Sequence, residues 1–198
     1  MDFYLFQIIN NLAGKNIWLD TFMIFCAEYL IFGLFLILIF LFFAPLENLS
    51  INDKDKKYNS IPPKKDWTKV SSFLMGFSPL EKRKKIQLII LAFSSTVLAW
   101  LLNHLISLMY FRPRPFVSHN NIFLLIQHNQ DKSFPSDHTT IAFALGLSIY
   151  LFNKKLGILA LICAFFIAFA RIFSGLHYPL DILGGIIVAF LIIRTYAV

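Results

Sequence analysis

Apolar residues in this chain fall into long blocks separated by polar joints. The blocks run roughly over Trp18–Phe43, Ile86–Tyr110, His138–Phe152, Leu156–Phe173 and from Ile182 to the end. A helix needs about 20 residues to cross a hydrocarbon core of about 30 Å, and most blocks approach or exceed that length. Backbone exposed to lipid must satisfy its own hydrogen bonds, and the blocks show no barrel-like alternation. The pattern therefore predicts an all-α, polytopic membrane helix bundle of about five to six transmembrane helices plus interfacial helices. Residues 3–12 predict one interfacial helix, with Phe3, Phe6, Ile9 and Leu12 on its apolar side. The joint "NKK" at 153–155 reads as a tight turn.

Two polar stretches are longer. Residues 44–85, centred on "INDKDKKYNSIPPKKDW", read as a solvated and partly disordered loop, and residues 111–137 form a second polar connection. Neither marks a second domain and no internal repeat is visible, so 1–198 reads as one domain. Composition agrees: 58% hydrophobic residues with 23 Phe, and a mean hydropathy of +0.67. A net charge of +7 could suggest a nucleic-acid partner, but the lysines cluster beside the spans, where the excess of Lys and Arg in cytoplasmic loops accounts for them. Alternating spans put ten basic residues of 44–85, together with Lys154, Lys155 and Arg194, on one side, which is thirteen of eighteen. Lys15, Arg112, Arg114, Lys132 and Arg171 lie toward the other. This places 44–85 in the cytoplasm and 111–137 outside. The start of the chain lacks a basic n-region, so no cleavable signal peptide is expected. Cys26 and Cys163, both inside apolar runs, read as small core residues.

The polar residues that remain gather on the outer side. "FRPRPF", "SFPSDHTT" and "RIFSGLHYPLD" come from three separate segments. Arg112, Arg114 and Arg171 offer planar, permanently charged donors suited to an anion such as phosphate. Ser136 precedes a helix start, where free N–H groups favour an anion, and His138 follows in the first turn. His177 and Asp181 are four apart; if the last helix starts early enough they share a face, and the carboxylate can hold the imidazole in one tautomer. An oriented histidine beside an arginine-bound phosphate can act as a nucleophile while a second histidine protonates the leaving oxygen.

These residues resemble the type 2 phosphatidic-acid phosphatase superfamily, which is related to the vanadium haloperoxidases. The match rests on Arg114-Pro115, on Pro135-Ser136-Asp137-His138, and on Arg171 followed at family spacing by His177 and Asp181, within about residues 86–190. The resemblance implies that His177 becomes phosphohistidine, Asp181 orients it and His138 is the general acid. It implies that Arg114, Arg171 and Ser136 hold the phosphate, with Arg112 and Asp137 beside them and no metal or other cofactor. Two departures stand out. Ser107 occupies the place of a family lysine, and Asp137 replaces a glycine, so its carboxylate is expected to point away from the anion or to hold an arginine. "PSDH" is similar to undecaprenyl pyrophosphate phosphatases associated with bacitracin resistance. An isoprenoid lipid pyrophosphate substrate, within membrane lipids, is thus implied. Phosphatidylglycerophosphate or phosphatidic acid, or a non-catalytic lipid-phosphate binder or transport component, stand as alternatives. A homo-oligomer is left open.

Other polar residues are read more simply. Glu28, costly inside an apolar run, should face the bundle interior with a partner, in a structural hydrogen bond or near the site. Asn103 and His104 are expected as a buried pair, His119 and His128 as solvated. Lys132 is a candidate contact for an anionic head group, and "NIFLLIQ" at 121–127 a stretch dipping toward lipid. Gly184 and Gly185 should permit close helix packing.

Overall fold

The computed structural model describes residues 1–43 and 79–196. Eight helices are described in it: α1 (Asp2–Asn10), α2 (Ile17–Glu28), α3 (Leu30–Phe43), α4 (Pro79–Met109), a single turn α5 (Pro115–Ser118), α6 (Asp137–Phe152), α7 (Lys154–Phe173) and α8 (Pro179–Tyr196). Among the described residues the extended structure is one isolated bridge, Pro113 to Lys132. The all-helical membrane bundle is therefore what the chain forms. Three helical stretches are long and apolar enough to cross a membrane, Arg83–Met109, Lys154–Phe173 and Pro179–Tyr196, and α2 with α3 qualifies as a bent pair. The remaining expected span, α6, has 16 residues, or about 24 Å of rise. It is the most embedded element, packing on α4, α7 and α8.

The structure revises several boundaries. The block read as one span over Trp18–Phe43 bends by 50° between α2 and α3, and Tyr29 caps α2 at the break. The break leaves Glu28 beside a discontinuity in the helical ladder. The expected 44–85 loop lies outside the described residues as far as residue 78, and its last part, from Pro79, is helical. There the second span gains a charged N-terminal stretch, residues 81–85. α8 begins at Pro179, three residues ahead of Ile182, because proline suits the first turn of a helix, where its missing N–H has no intrahelical partner. α1 stops at Asn10, so Leu12 lies beyond it and is exposed while Phe6 is fully buried. Asn10 is buried because its amide joins three strands of chain, donating to the carbonyls of Phe123 and Phe173 and accepting from the Phe123 N–H.

Small residues let the helices close. A Cβ on Gly157 would lie 2.2 Å from the Tyr150 Cα, at the α6–α7 turn. At that turn Asn153 ends α6 and its side chain accepts from the Leu156 N–H of α7. Gly185 faces the first turn of α6: a Cβ there would meet Thr140 Oγ1 at 2.8 Å and the Ser136 carbonyl at 3.0 Å. Gly184 sits under the Phe134 ring, and a Cβ would approach it to 2.5 Å. The expected close packing at both glycines is present. The outer surface is apolar, with Phe32, Phe40, Phe93, Phe165 and Phe190 each more than half exposed, as a lipid-facing surface requires. These helices bring the start of α6, the end of α7 and the start of α8 to one end of the bundle.

Candidate active site

Ser133 is the residue around which this end is organised. Its N–H donates to the Arg112 carbonyl at 2.8 Å. Its hydroxyl donates to Asp181 Oδ2 at 2.5 Å, and its carbonyl lies 2.9 Å from His177 Nδ1. Asp181 is fully buried, and besides Ser133 it accepts from the Tyr178 N–H and from Arg112 Nη1, each at 2.8 Å. The chain carries the bond one step further, since the Asp181 carbonyl accepts the Ser136 N–H. The starts of α6 and α8 are thereby tied together.

His177 lies ahead of α8, in the α7–α8 connection, so it and Asp181 do not share a helix face as the spacing had suggested. The Nδ1 to Oδ2 separation is 3.7 Å, beyond a hydrogen bond. The ring is instead oriented by the Ser133 carbonyl, which can only accept. Nδ1 therefore carries the proton, and Nε2 presents its lone pair to Arg114 Nη1 at 3.0 Å. Asp181 acts on the ring through Ser133 and through its nearby charge. Burial pushes the His177 imidazole down to about 3, and Arg114 and Arg171 add to the effect against the opposing pull of Asp181. His177 is thus a neutral imidazole with one basic nitrogen, held between two arginines.

The two arginines differ. Arg114 is well paired: Nε donates to Asp131 at 2.6 Å and Nη1 to the Leu176 carbonyl at 3.1 Å. Arg171 is 1% exposed and meets only the Ala27 carbonyl and Glu28 Oε1, both at 3.5 Å through Nη1. Its Nε and Nη2 are buried with no partner. Buried donors are almost always satisfied, and a guanidinium whose Nε and Nη2 have no protein partner has the geometry to take an anion in bidentate fashion. Ser174 Oγ and Asn103 Oδ1 are likewise buried and unpartnered.

The first turn of α6 supplies further groups. Ser136 is the N-cap, but its side chain makes no capping bond; its hydroxyl oxygen accepts from Thr139 Oγ1, which leaves its own proton free to donate. Asp137 does not hold an arginine. Its Oδ1 accepts from Lys132 Nζ and from Asn103 Nδ2, both at 2.9 Å. His138 follows, half-buried, within electrostatic reach of Arg171, His128 and Arg114.

Arg112, expected among the phosphate ligands, is turned to the protein. It bridges Asp181 and Asp2, with Nη2 to Asp2 Oδ2 at 2.6 Å, and lies 3.8 Å over the Tyr178 ring. Burial works against its charge, but the carboxylates of Asp2 and Asp181 outweigh it and raise the guanidinium above its usual range. The expected Asn103–His104 pair is absent: Asn103 is buried on Asp137 and Thr140, and His104 stacks on Trp100 near the outer surface. Nor are the loop histidines solvated. His119 stacks on Phe3 with centroids 3.7 Å apart. His128 is half-buried, and burial followed by the charges of Arg114 and Arg171 lowers it, so it borders the site. The "NIFLLIQ" stretch lies on the bundle, with Ile122, Leu125 and Ile126 packed against two core clusters.

Ser133, Asp2 and Asp131 had no role in the sequence reading. Ser133 lay inside the motif-bearing "SFPSDHTT" stretch, which was a signal that could have found it. Asp2 reaches the site from the opposite end of the chain, and no spacing could have indicated it.

Fold and site together define an all-helical membrane protein with a buried histidine set between arginines at one end of its bundle. Residues 87–198 match the PAP2 superfamily, and the chain belongs to it. It is 33% identical over 192 residues to the undecaprenyl-diphosphatase BcrC of Bacillus subtilis, covering 97% of this chain and 80% of that protein. It is 36% identical over 143 residues to the bacitracin transport permease protein BcrC of Bacillus licheniformis, covering 68% and 70%. In structure it is similar to the crystal structure of Aquifex aeolicus LpxE, with a TM-score of 0.62 and 26% identity over 98% of this chain and 94% of that one.

Proposed function

We propose that this chain is a membrane phosphatase that converts undecaprenyl diphosphate to undecaprenyl phosphate through a phosphohistidine at His177, with its site on the outer face of a bacterial plasma membrane. The observation that carries the chemistry is a neutral His177 whose unprotonated Nε2 accepts from Arg114, within reach of the charge of Arg171, whose Nε and Nη2 have no protein partner. The substrate follows from likeness to the undecaprenyl-diphosphatase of Bacillus subtilis.

In this reading the terminal phosphoryl group settles on Arg171 Nε and Nη2, Arg114 and the Ser136 hydroxyl. Nε2 of His177 attacks the phosphorus, forming a P–N bond as the bridging P–O bond breaks and undecaprenyl phosphate leaves. The Ser133 carbonyl takes up the hydrogen-bonding demand of Nδ1–H as the ring gains positive charge, and Asp181, 3.7 Å away, stabilises that charge. His138 protonates the departing oxygen where needed. It then accepts a proton from the water that attacks phosphorus, which breaks the P–N bond and releases inorganic phosphate. The arginines act on the charge that spreads over the phosphoryl oxygens.

The outer position rests on the sequence, since alternating spans assign thirteen of the eighteen basic residues to the other side of the membrane and cytoplasmic loops carry the excess of Lys and Arg. The same motifs suit phosphatidylglycerophosphate or phosphatidic acid, and a substrate panel on purified protein separates these. A binder or transport component would need no oriented nucleophile. The test is His177→Ala assayed for phosphate release from undecaprenyl diphosphate in detergent. Turnover should vanish, and the acid-labile phosphoenzyme that forms on wild type should be lost. Near-normal hydrolysis would refute the mechanism.

A further inference from the structure

We propose that Lys132, held on Asp137, is the group that recognises the second phosphoryl of a diphosphate, and so sets the preference for lipid diphosphates over monophosphates. The proposal rests on the phosphatase reading above and names a residue for its specificity. Lys132 lies between two residues already in the site: Asp131 binds Arg114 Nε, and Ser133 holds both Asp181 and His177. The backbone here is pinned by the bridge between Pro113 and Lys132 and by the Ser133 N–H on the Arg112 carbonyl. The ammonium is carried inward to Asp137 Oδ1, and the Lys132 side chain is only 18% exposed. Asp137 immediately precedes His138 and follows Ser136, so the Lys132 ammonium is anchored on the first turn of α6, the turn that carries both of those residues.

The chemistry gives that position a consequence. When a lipid diphosphate is cleaved, the departing group is a phosphate ester that leaves with its own negative charge. When a monophosphate is cleaved, the departing group is an alcohol, which needs a proton and offers no charge to a cation. An ammonium has three donors. One is used on Asp137, and two remain for oxygens of the departing phosphate. Asp137 is also served by Asn103 at 2.9 Å, so its carboxylate keeps a partner while Lys132 turns toward substrate. This arrangement also explains how a carboxylate is tolerated beside an anion pocket, since its charge is cancelled locally and its role is to aim the lysine.

The experiment compares full-length wild type, Lys132→Met and Lys132→Arg in detergent, using farnesyl diphosphate and farnesyl monophosphate as probes. Losing charge-assisted hydrogen bonds to one phosphate should lower kcat/KM for the diphosphate by about tenfold to a hundredfold in Lys132→Met, and change the monophosphate by less than about threefold. Lys132→Arg should keep most of the preference. Equal losses on both substrates, or none on either, would overturn the assignment. The affinities of the same proteins for inorganic pyrophosphate and orthophosphate, read by titration calorimetry, need no turnover. If wild type hydrolyses neither lipid, the phosphatase reading fails. The pyrophosphate-to-phosphate affinity ratio then still decides on Lys132, supporting it if the ratio falls at least fivefold in Lys132→Met and refuting it if the ratio is unchanged.

Discussion

Arg171→Met separates stability from function in a direction opposite to most buried substitutions. The guanidinium is 1% exposed, its Nε and Nη2 have no protein partner, and its carboxylate partner Glu28 stands 3.5 Å away and is 39% exposed. Each buried, unsatisfied donor costs about 1–3 kcal/mol, and a methionine of similar length fills the space without that cost. Glu28 can turn to solvent when its partner goes. The variant should therefore unfold at the same temperature as wild type or above it, even though replacing one member of a buried ion pair ordinarily costs about 3–5 kcal/mol. Function moves the other way. Two charge-assisted hydrogen bonds to the phosphoryl group at about 1.5–3 kcal/mol each put the fall in kcat/KM at about 10²–10⁴-fold. The assay is thermal unfolding in detergent followed by intrinsic fluorescence, with and without orthophosphate or orthovanadate. An anion at a hundred times its Kd contributes about 2.7 kcal/mol. For a chain of this size that is about 5–11 °C, and it should appear in wild type and be absent in Arg171→Met. A variant that melts well below wild type, or one that keeps the anion-induced shift, would refute the account of Arg171 as an open anion site.

Three further outcomes follow from the same geometry. Gly185→Ala forces a methyl group within 3.0 Å of the Ser136 carbonyl and closer still to Thr140 Oγ1. It should destabilise the protein by about 1–3 kcal/mol and lower turnover by displacing Ser136, seen as a lower melting temperature and a reduced kcat. His177 is neutral and buried in the folded protein with its pKa near 3, whereas the unfolded chain takes up a proton near its ordinary value of about 6.5. Its contribution to stability is thus full above pH 6.5 and is lost as the pH falls from there toward 3; His177→Gln should show a smaller drop in melting temperature than wild type across that interval. For topology, a cysteine replacing the exposed Asn120 should react with an impermeant thiol reagent in intact cells, and one replacing Lys155 only after lysis. The reverse pattern would place the site in the cytoplasm and leave the phosphatase chemistry standing.

The membrane character of the bundle was legible because it depends on long apolar runs, and lipid leaves the backbone few alternatives. The ends of those runs were less so. The α2–α3 bend occurs inside a continuous apolar block, where hydropathy is blind to a change of axis, and the early start of α8 turned on Pro179 in a stretch read as connection. Motif spacing brought His138, His177, Asp181, Arg114 and Arg171 to one place, and the structure gathers the same residues. Spacing did not tell which atom meets which. Asp181 looked like the direct partner of His177, yet the bond that orients the ring comes from the Ser133 carbonyl, and a backbone acceptor carries no sequence signature. Arg112 looked identical in kind to Arg114 two residues on. The pairing of Arg112 with Asp2 joins positions 110 residues apart, and only the folded chain reveals it.

Charge balance accounts for how a cluster of cations can be held within a bundle built for lipid. Arg112 is matched by Asp2 and Asp181, Arg114 by Asp131, Lys132 by Asp137 and Arg171 by Glu28. Four cations face five carboxylates, so the cluster is close to neutral and avoids the cost of bare cations in a low dielectric. The pairs are not equally firm. Asp181 is fully buried and the Asp2 side chain is 14% exposed, whereas Asp131 is 50% exposed and Glu28 39%. In the proposed reaction the more exposed carboxylates can turn to water at little cost, freeing Arg114 and Arg171 for the phosphoryl oxygens. Arg112 stays locked to Asp181 and preserves the framework behind His177. The arginines proposed to grip the phosphoryl group and the arginine that braces the framework are therefore distinguished by the exposure of their carboxylate partners, 50% and 39% for Asp131 and Glu28 against 0% for Asp181.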